Sequence, residues 1–186
     1  MKERPILFSA PMVRAILEGR KTQTRRVVKS NWDAKDDDNW PMVMDEDGLW
    51  FRQACPYGQI GDRLWVREAF FIDEGKGSVR YRASGHVSPF GWKPSIHMPR
   101  WASRILLEIT SVRVERLQDI SEVDALAEGI TESQIDTELK AAEEMDQVEP
   151  NPARCCFRYL WEDINGIESW ADNPWVWVVE FKKVEV

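Results

Sequence analysis

Alternation of apolar and polar residues in four separated segments restricts the fold of this chain more than any other feature. In the longest, Arg104–Arg116, residues Ile105 and Leu107 share one face. A period of two residues is that of a β-strand, and the change of phase at Thr110-Ser111 predicts a β-bulge. Three further segments have the same β-branched and aromatic character: Thr22–Val28, Leu64–Phe71 and Trp175–Lys183. We predict that all four are strands of one closed or nearly closed barrel.

Helical patterns separate these strands. A short helix is predicted after Ser9, a suitable N-cap, and a second begins at Ser121 and ends at Gly129. An acidic, polar helix is expected over Thr131–Val148, and a helix with an apolar face follows Asn151. Because strands and helices do not alternate as βαβ units, the predicted fold class is α+β with a mixed sheet.

Two long excursions interrupt the pattern. The first, over residues 29–60, is rich in acid at Asp33–Asp47 and is predicted to lie at the surface, with a hairpin turning at Asp47-Gly48. The second, Ser84–Ser103, interleaves basic residues with aromatic ones, among them Trp92 and Trp101. It either closes over a ligand or is a structural loop held by its tryptophans. We expect it to border the ligand cleft.

Composition excludes several classes of function. A chain of 186 residues suits one domain, and its net charge of −7 argues against a protein that coats long nucleic acid. That charge still allows a local basic cleft for one nucleotide or a short single strand. No apolar run approaches the roughly 18 residues of a membrane helix, and the N-terminus lacks the pattern of a signal peptide, so a cytoplasmic protein is expected.

Cysteine and histidine are too few and too scattered to predict a metal centre. Cys55 stands alone, Cys155 and Cys156 are adjacent, and His86 and His97 lie in a loop rich in glycine and proline. An odd number of cysteines without paired spacing indicates neither a disulfide framework nor a zinc site. No metal or other cofactor is expected.

The segment after the first helix holds the strongest candidate site. Gly19 is a typical helix stop, and Lys21 follows it. In the strand beyond, alternation places Thr22, Thr24 and Arg26 on one face. A lysine, two hydroxyls and an arginine suit a polar or anionic ligand if they converge on a cleft. The alternative is a solvated edge strand.

Three more charged residues are candidates because they oppose local preference. Glu128 falls in the last turn of a predicted helix, where the helix dipole disfavours a carboxylate. Arg67 and Glu68 lie inside an otherwise apolar strand, and buried charges are normally paired. Arg67 and Glu68 either contact a ligand or form a structural ion pair.

These motifs resemble those of a known family. The opening Pro5–Phe8, a helix and then Gly-Arg-Lys-Thr-x-Thr-x-Arg at 19–26 resemble ASCH domains of the PUA-like superfamily, and Ala-Leu-Ala-Glu-Gly at 125–129 resembles a second signature. The blocks Gly61–Glu68 and Pro174–Phe181 are similar to its phage-borne branch. The resemblance implies one domain over 1–186, a mixed pseudo-barrel flanked by short helices, with insertions near 30–58 and 131–150.

The resemblance also implies an activity. Some small bacterial ASCH proteins are amidohydrolases that remove the acetyl group from N4-acetylcytidine, and their catalytic lysine, threonine and glutamate match Lys21, Thr24 and Glu128. Thr24 would then be the nucleophile, Lys21 its base, and Glu128 an acid or an orienting group. Arg26 would lie near the ribose or the developing oxyanion. We predict that Lys21, Thr24, Arg26 and Glu128 converge on one partly buried cleft, the size of a nucleobase with its sugar.

Two other functions stay open. PUA-like folds commonly bind RNA or modified bases without changing them, and the same residues would then donate hydrogen bonds while Trp92 or Trp101 stacks on a base. The partner would be a nucleoside or a short single-stranded RNA. The third hypothesis is a phage accessory protein that acts through protein contacts.

Overall fold

The structure, a computed structural model, describes residues 1–29, 34–35, 40–73, 75, 77–88, 91–145 and 150–184. Its strands are β1 (Glu3–Leu7), β2 (Gln23–Val27), β3 (Ala34–Lys35), β4 (Pro41–Met44), β5 (Trp50–Arg52), β6 (Arg63–Arg67), β7 (Phe70–Asp73), β8 (Ser78–Tyr81), β9 (Leu106–Arg116) and β10 (Trp175–Val184). Its helices are α1 (Ala10–Leu17), α2 (Glu122–Ala127), α3 (Glu132–Glu144) and α4 (Pro152–Asn165).

A five-stranded mixed sheet in the order β1-β6-β9-β10-β2 forms the centre of the fold. β1 and β6 are parallel, and the remaining pairs are antiparallel. All four predicted strand segments contribute to it, although Phe70 and Phe71 belong to β7, which pairs with β8 in a separate ribbon. The bulge is confirmed, since pairing passes from Glu180–Ser111 to Phe181–Ile109 and leaves Thr110 without a partner on β10. The predicted α+β class is confirmed.

The predicted barrel, closed or nearly closed, does not close in the part of the chain that the structure describes. β1 and β2 are the two edges of the sheet, and no backbone ladder joins them. One side chain bridges them instead, because Arg26 Nη2 donates a hydrogen bond to the Leu7 carbonyl at 2.9 Å. The outer edge of β2 borders a cleft shared with α4, so another strand does not cover it. The open edge creates the space in which the candidate site lies.

The sheet is buried on both faces. On one face α1 packs against Trp177, Val179 and Phe181 of β10, and on the other face α2 and α4 pack against Val176 and Val178. Alternate residues of one strand therefore enter two different cores. α3 buries none of its residues and is exposed, as predicted.

Local predictions are confirmed at several turns and corrected at one. β4 and β5 form the hairpin predicted across Asp47-Gly48, and Ser121 caps α2 by accepting from the Asp124 amide. Ser9 precedes α1 but makes no capping hydrogen bond. The surface prediction for residues 33–47 is confirmed only in part: residues 44–47 are exposed, but Pro41 is buried and Trp40 packs against the core residue Trp177. Residues 33 and 36–39 lie outside the described residues. Over the described ranges, no helix has the length and apolar character needed to cross a bilayer.

Candidate functional site

Lys21 is the most deeply buried charged side chain of the predicted site. Its side chain has no exposed surface, and Nζ donates hydrogen bonds to Glu128 Oε2 at 2.6 Å and to the Glu128 carbonyl at 2.9 Å. Nζ also lies 5.7 Å from the ring centroid of Phe8, within cation–π range. A lysine that buries its ammonium needs such partners, because an unpaired charge in the interior is strongly unfavourable.

Glu128 is placed by the end of α2 and held from both sides. It is the C-cap residue of that helix, and its carboxylate binds Lys21 through Oε2 and Arg25 Nη1 through Oε1, the latter at 3.1 Å. The two cations offset the unfavourable helix dipole that made Glu128 a candidate. The sequence-predicted pair of Lys21 and Glu128 is therefore in direct contact.

Arg25 is a site residue that the sequence prediction missed. Its side chain is also fully enclosed, and it donates to Glu115 at 2.5 Å and to Asp124 at 3.2 Å besides Glu128. Alternation assigned Arg25 to the face opposite Thr24 and therefore outside the site. A buried arginine requires carboxylate partners, and the sequence has acidic residues in the segments that form α2 and β9. A basic residue in a predicted strand, together with these acidic residues, was the signal that could have identified Arg25.

Burial and charge act on the site in opposite directions. Burial lowers the pKa of Lys21, and the neighbouring Glu128 carboxylate opposes this by raising it; the net direction is downward. Burial alone would raise the pKa of Asp124, but a hydrogen bond from Gln23 and the guanidinium groups of Arg25 and Arg113 hold it below its usual value. The neutral amine of Lys21 is therefore favoured more than that of an ordinary lysine.

A small cleft opens beside this ion-pair network at the outer edge of β2. Its volume is about 60 Å³, well below the roughly 300 to 1,000 Å³ typical of sites for drug-sized ligands. It admits a group of a few atoms, so it is smaller than the nucleoside-sized cleft that we expected. The β2 residues, the α2 carboxylate and the α1 and α4 side chains that line it are Thr24, Arg25, Arg26, Val27, Glu128, Met12, Phe157, Leu160, Trp161, Ile164 and Asn165.

Thr24 faces this cleft together with Glu128. The residue is 1% exposed, and its hydroxyl makes no hydrogen bond within the described part of the chain. In particular, no hydrogen bond joins Thr24 to Lys21 in those ranges. The structure therefore brings Thr24 and Glu128 to one cavity, and Lys21, which does not line it, contacts Glu128.

Arg26 and Thr22, the other two predicted residues of the β2 segment, separate. Arg26 lines the cleft and lies 5.4 Å from the Phe8 ring centroid. Thr22 precedes β2, donates its backbone N–H to the Ala127 carbonyl, and lines a different cavity near the start of α3. Thr22 therefore does not line the cleft. Because β2 begins only at Gln23, the alternation of side chains along that strand does not extend to Thr22.

Glu68 and Arg67 lie apart from the cleft and have different partners. Glu68 is 2% exposed and receives two hydrogen bonds from Arg104, at 2.8 and 3.0 Å. Arg67 donates through Nη2 to the Ile96 carbonyl, while its Nε is buried without a hydrogen-bond partner in the described ranges. Neither residue lines the cleft. One alternative for Arg67 and Glu68 was a structural ion pair. Glu68 forms such a pair, but its partner is Arg104 rather than Arg67.

The two loop tryptophans also lie outside the cleft. Trp92 is half-buried and Trp101 is 67% exposed, and neither lines the cavity beside Thr24. The loop contributes Ser95 to a neighbouring cavity bounded by α1. None of the described residues of 84–103 lines the cleft beside Thr24, so the expectation that this loop borders it is wrong. Over the residues with described positions, no three histidine, cysteine or acidic side chains are grouped to hold a metal ion.

Comparisons with known proteins add little to this geometry. No protein-family model matches the chain, and no curated protein matches it. Among solved structures, an ASCH domain from Lactobacillus crispatus JV V101 matches with 16% identity and a TM-score of 0.39, covering 98% of this chain and 79% of that one. Similarity at this level does not assign the chain to a family. Functional assignment therefore depends on the residues of the site.

Proposed function

We propose that this chain is an ASCH-type domain of the PUA-like superfamily that hydrolyses the amide of an acylated nucleoside such as N4-acetylcytidine. One observation carries the proposal: a fully buried lysine forms a 2.6 Å pair with a glutamate that shares a cleft with a threonine. Such buried, charge-coupled lysines with lowered pKa values are concentrated at functional sites. The lysine, threonine and glutamate are the residues through which the sequence resembles the amidohydrolases.

The hydrogen bonds of Lys21 are compatible with a general base. A neutral amine has two N–H groups, and Glu128 Oε2 and the Glu128 carbonyl accept two hydrogen bonds from Nζ. The lone pair then stays free to accept a proton. Thr24 is three residues further along the chain, and catalytic hydrogen bonds commonly shorten only when substrate binds.

The proposed reaction has two steps. Lys21 takes the proton from Thr24 Oγ1 as that oxygen bonds to the acyl carbon, and the C–N bond breaks as the departing amine nitrogen receives the proton from Lys21. Water then attacks the acyl-threonine ester, which releases the carboxylic acid and restores the hydroxyl. Glu128 holds the lysine in place, and Arg26 stabilises the negative charge that develops on the acyl oxygen.

The size of the cleft limits how the substrate binds. A cavity of about 60 Å³ accommodates the acyl group, while the base and ribose remain outside it. Phe157, Leu160 and Trp161 provide an apolar wall for the methyl end of an acetyl group. We therefore expect short acyl groups to be preferred over long or branched ones.

A second function is favoured by a specific contact. The 2.6 Å separation of Lys21 Nζ and Glu128 Oε2 is also that of an ammonium–carboxylate pair, and a protonated lysine cannot act as a base. The domain would then bind a nucleoside or a short single-stranded RNA without changing it.

Hydrolysis of N4-acetylcytidine by the purified protein separates these two functions. We expect the wild type to release cytidine and acetate, and Thr24→Ala to reduce kcat by at least about a thousandfold while substrate binding persists, because a nucleophile acts in the chemical step. Thr110→Ala, at the exposed β-bulge, is the matched control and should retain full activity.

A different result would support the binding module. If the wild type releases no cytidine and Thr24→Ala weakens binding by about 1 kcal/mol, the loss of one hydrogen bond, the hydrolase proposal is wrong.

A further inference from the structure

A second cavity lies across α1 from the cleft and has an unusual lining. Its volume is about 460 Å³, within the range of small-molecule sites. We call it the arginine cavity; it is lined by Phe8, Ser9, Ala10, Pro11, Arg14, Ala69, Arg82 and Ser95. This lining contains two arginines and two serines but no carboxylate, in a chain whose net charge is −7. Each of four other cavities bounded by described residues includes at least one carboxylate in its lining.

Neither arginine of the cavity is engaged elsewhere. Arg14 comes from α1 and Arg82 from the turn after β8, and both side chains are exposed. Within the described ranges, neither guanidinium makes a hydrogen bond or an ion pair. Several other arginines are matched to a carboxylate, as in the pairs Arg4–Asp62, Arg104–Glu68 and Arg113–Glu180. Two unmatched guanidinium groups from different elements therefore face one cavity.

The serines of the cavity are also free to bind a ligand. Ser9 was predicted to cap α1, but its side chain makes no capping bond. The Ser95 hydroxyl likewise has no hydrogen-bond partner over the residues that the structure describes. Guanidinium and hydroxyl groups together are the donors that commonly bind phosphate oxygens, and a planar guanidinium matches a phosphate in a bidentate manner.

The cavity adjoins the candidate site. α1 is a common wall, because Met12 lines the cleft and Ala10, Pro11 and Arg14 line the arginine cavity. Phe8 connects them as well, since it lines the arginine cavity and its ring lies beside Lys21 Nζ and the Arg26 guanidinium. The two cavities therefore share no lining residue, and what relates them is the helix that both border and the Phe8 ring between them.

We propose that the arginine cavity binds a phosphate group of the substrate, so that the substrate is a nucleotide or a short RNA rather than a free nucleoside. The statement that the ligand contains a nucleoside rests on the proposed function. The phosphate is either the monoester of a mononucleotide or a phosphodiester of RNA. Both present the same oxygens to Arg14 and Arg82.

The first test measures binding alone and so does not depend on turnover. Cytidine 5′-monophosphate and cytidine are titrated into the wild type and into the double variant Arg14→Gln/Arg82→Gln by calorimetry. We expect the monophosphate to bind more tightly than cytidine, and the double variant to weaken it by at least about tenfold while cytidine binding is unchanged. Arg158→Gln, an exposed arginine on α4, is the control and should change neither affinity.

The second test identifies the source of the phosphate. N4-acetylcytidine, its 5′-monophosphate and a trinucleotide with acetylcytidine at its centre are compared as substrates of the wild type and the double variant. If the double variant has a higher KM than the wild type for the monophosphate, the site binds a phosphate monoester. If its KM is higher only for the trinucleotide, the site binds a phosphodiester. In either case kcat and the KM of the free nucleoside should stay unchanged.

The two proposals fail in different ways. If cytidine 5′-monophosphate and cytidine bind equally, or if the double variant affects neither phosphate-bearing ligand, the phosphate site is wrong and the hydrolase proposal stands on its own assay. If no substrate is hydrolysed but the monophosphate binds through Arg14 and Arg82, the phosphate site stands and the hydrolase proposal is wrong.

Discussion

The Lys21 side chain is enclosed by Glu128, Phe8 and two neighbouring arginines, and these surroundings decide its protonation. Desolvation disfavours the ammonium, and Arg25 and Arg26 add to that effect, whereas the Glu128 carboxylate favours it. The net result is a pKa below the ordinary 10.5. Each partner can therefore be changed to move the titration in a known direction.

The proposed base predicts a pH dependence for hydrolysis. Because only the neutral amine accepts a proton, kcat should rise as pH increases through the lowered pKa of Lys21 and reach a plateau above it. Glu128→Gln removes the carboxylate that raises this pKa, so the rising limb should move to lower pH, whatever happens to the plateau. The measurement is the pH profile of kcat for both proteins. A limb that stays in place or moves to higher pH contradicts the assignment of Lys21 as the base.

Arg25 shows how one residue can support a site without being part of its chemistry. It binds carboxylates from β9 and α2 together with Glu128, so it joins three elements around one buried guanidinium. Removing one member of a buried charge network leaves the others uncompensated, which typically costs about 3 to 5 kcal/mol. Arg25 is therefore a positioning residue for Glu128.

The end of α2 matters at the scale of the element. Gly129 follows the C-cap with φ +100°, and a Cβ built there would lie 3.0 Å from the Ala15 Cβ and 3.2 Å from the Lys21 Cβ. The close approach lets the Glu128 carbonyl and carboxylate both reach Lys21. A side chain at this position would need α1 or Lys21 to move.

Gly129→Ala should therefore impair both stability and activity. We expect a loss of about 1 to 3 kcal/mol in the free energy of unfolding, since a residue in strained backbone geometry costs about that much, and a fall in kcat from displacement of Lys21. Urea denaturation and the cytidine-release assay measure the two effects. Gly166→Ala is the matched control, because its φ is +103° but a Cβ there meets nothing within 4 Å. Equal loss of activity in both variants would show that strain, not contact with Lys21, is responsible.

At the scale of the whole molecule, charge restricts the partner. The net charge is −7. The arginine cavity beside α1 has no carboxylate in its lining, and its two arginines have no partner among the described residues. A protein of this kind contacts few phosphates, because long polyanions are repelled by its remaining surface. The proposed phosphate site therefore predicts a nucleotide or a short segment of RNA as the ligand.

Salt and length dependence of RNA binding test this restriction. For single strands, each neutralised phosphate contributes roughly −0.7 to the slope of log K against log salt concentration, so the single phosphate held by Arg14 and Arg82 predicts a slope of about −0.7. We also expect affinity to stop rising beyond a trinucleotide. Fluorescence anisotropy with cytidine oligonucleotides of increasing length, at several salt concentrations, measures both quantities. A steep slope that grows with length would contradict a local phosphate site.

The sequence alone determined most of the elements and part of the site. Alternation identified the strands of the central sheet, and capping and glycine signals identified the helices, because these patterns report local backbone geometry. Glu128 became a candidate for a similar reason, since its conflict with the helix dipole is a local property. The bulge at Thr110 and the exposure of α3 were also predicted from local patterns of the sequence.

Only the tertiary structure decided which of these residues meet. The sheet stays open at β1 and β2, so the cleft at the β2 edge receives residues from both faces of the strand, and alternation could not place Thr24 and Arg25 together. The tertiary structure also pairs Glu68 with Arg104 rather than with Arg67, and it places Arg14 and Arg82 in the lining of one cavity. Periodicity specifies the direction of a side chain relative to its own element, whereas its partner is set by how distant elements pack, and that depends on the whole chain at once.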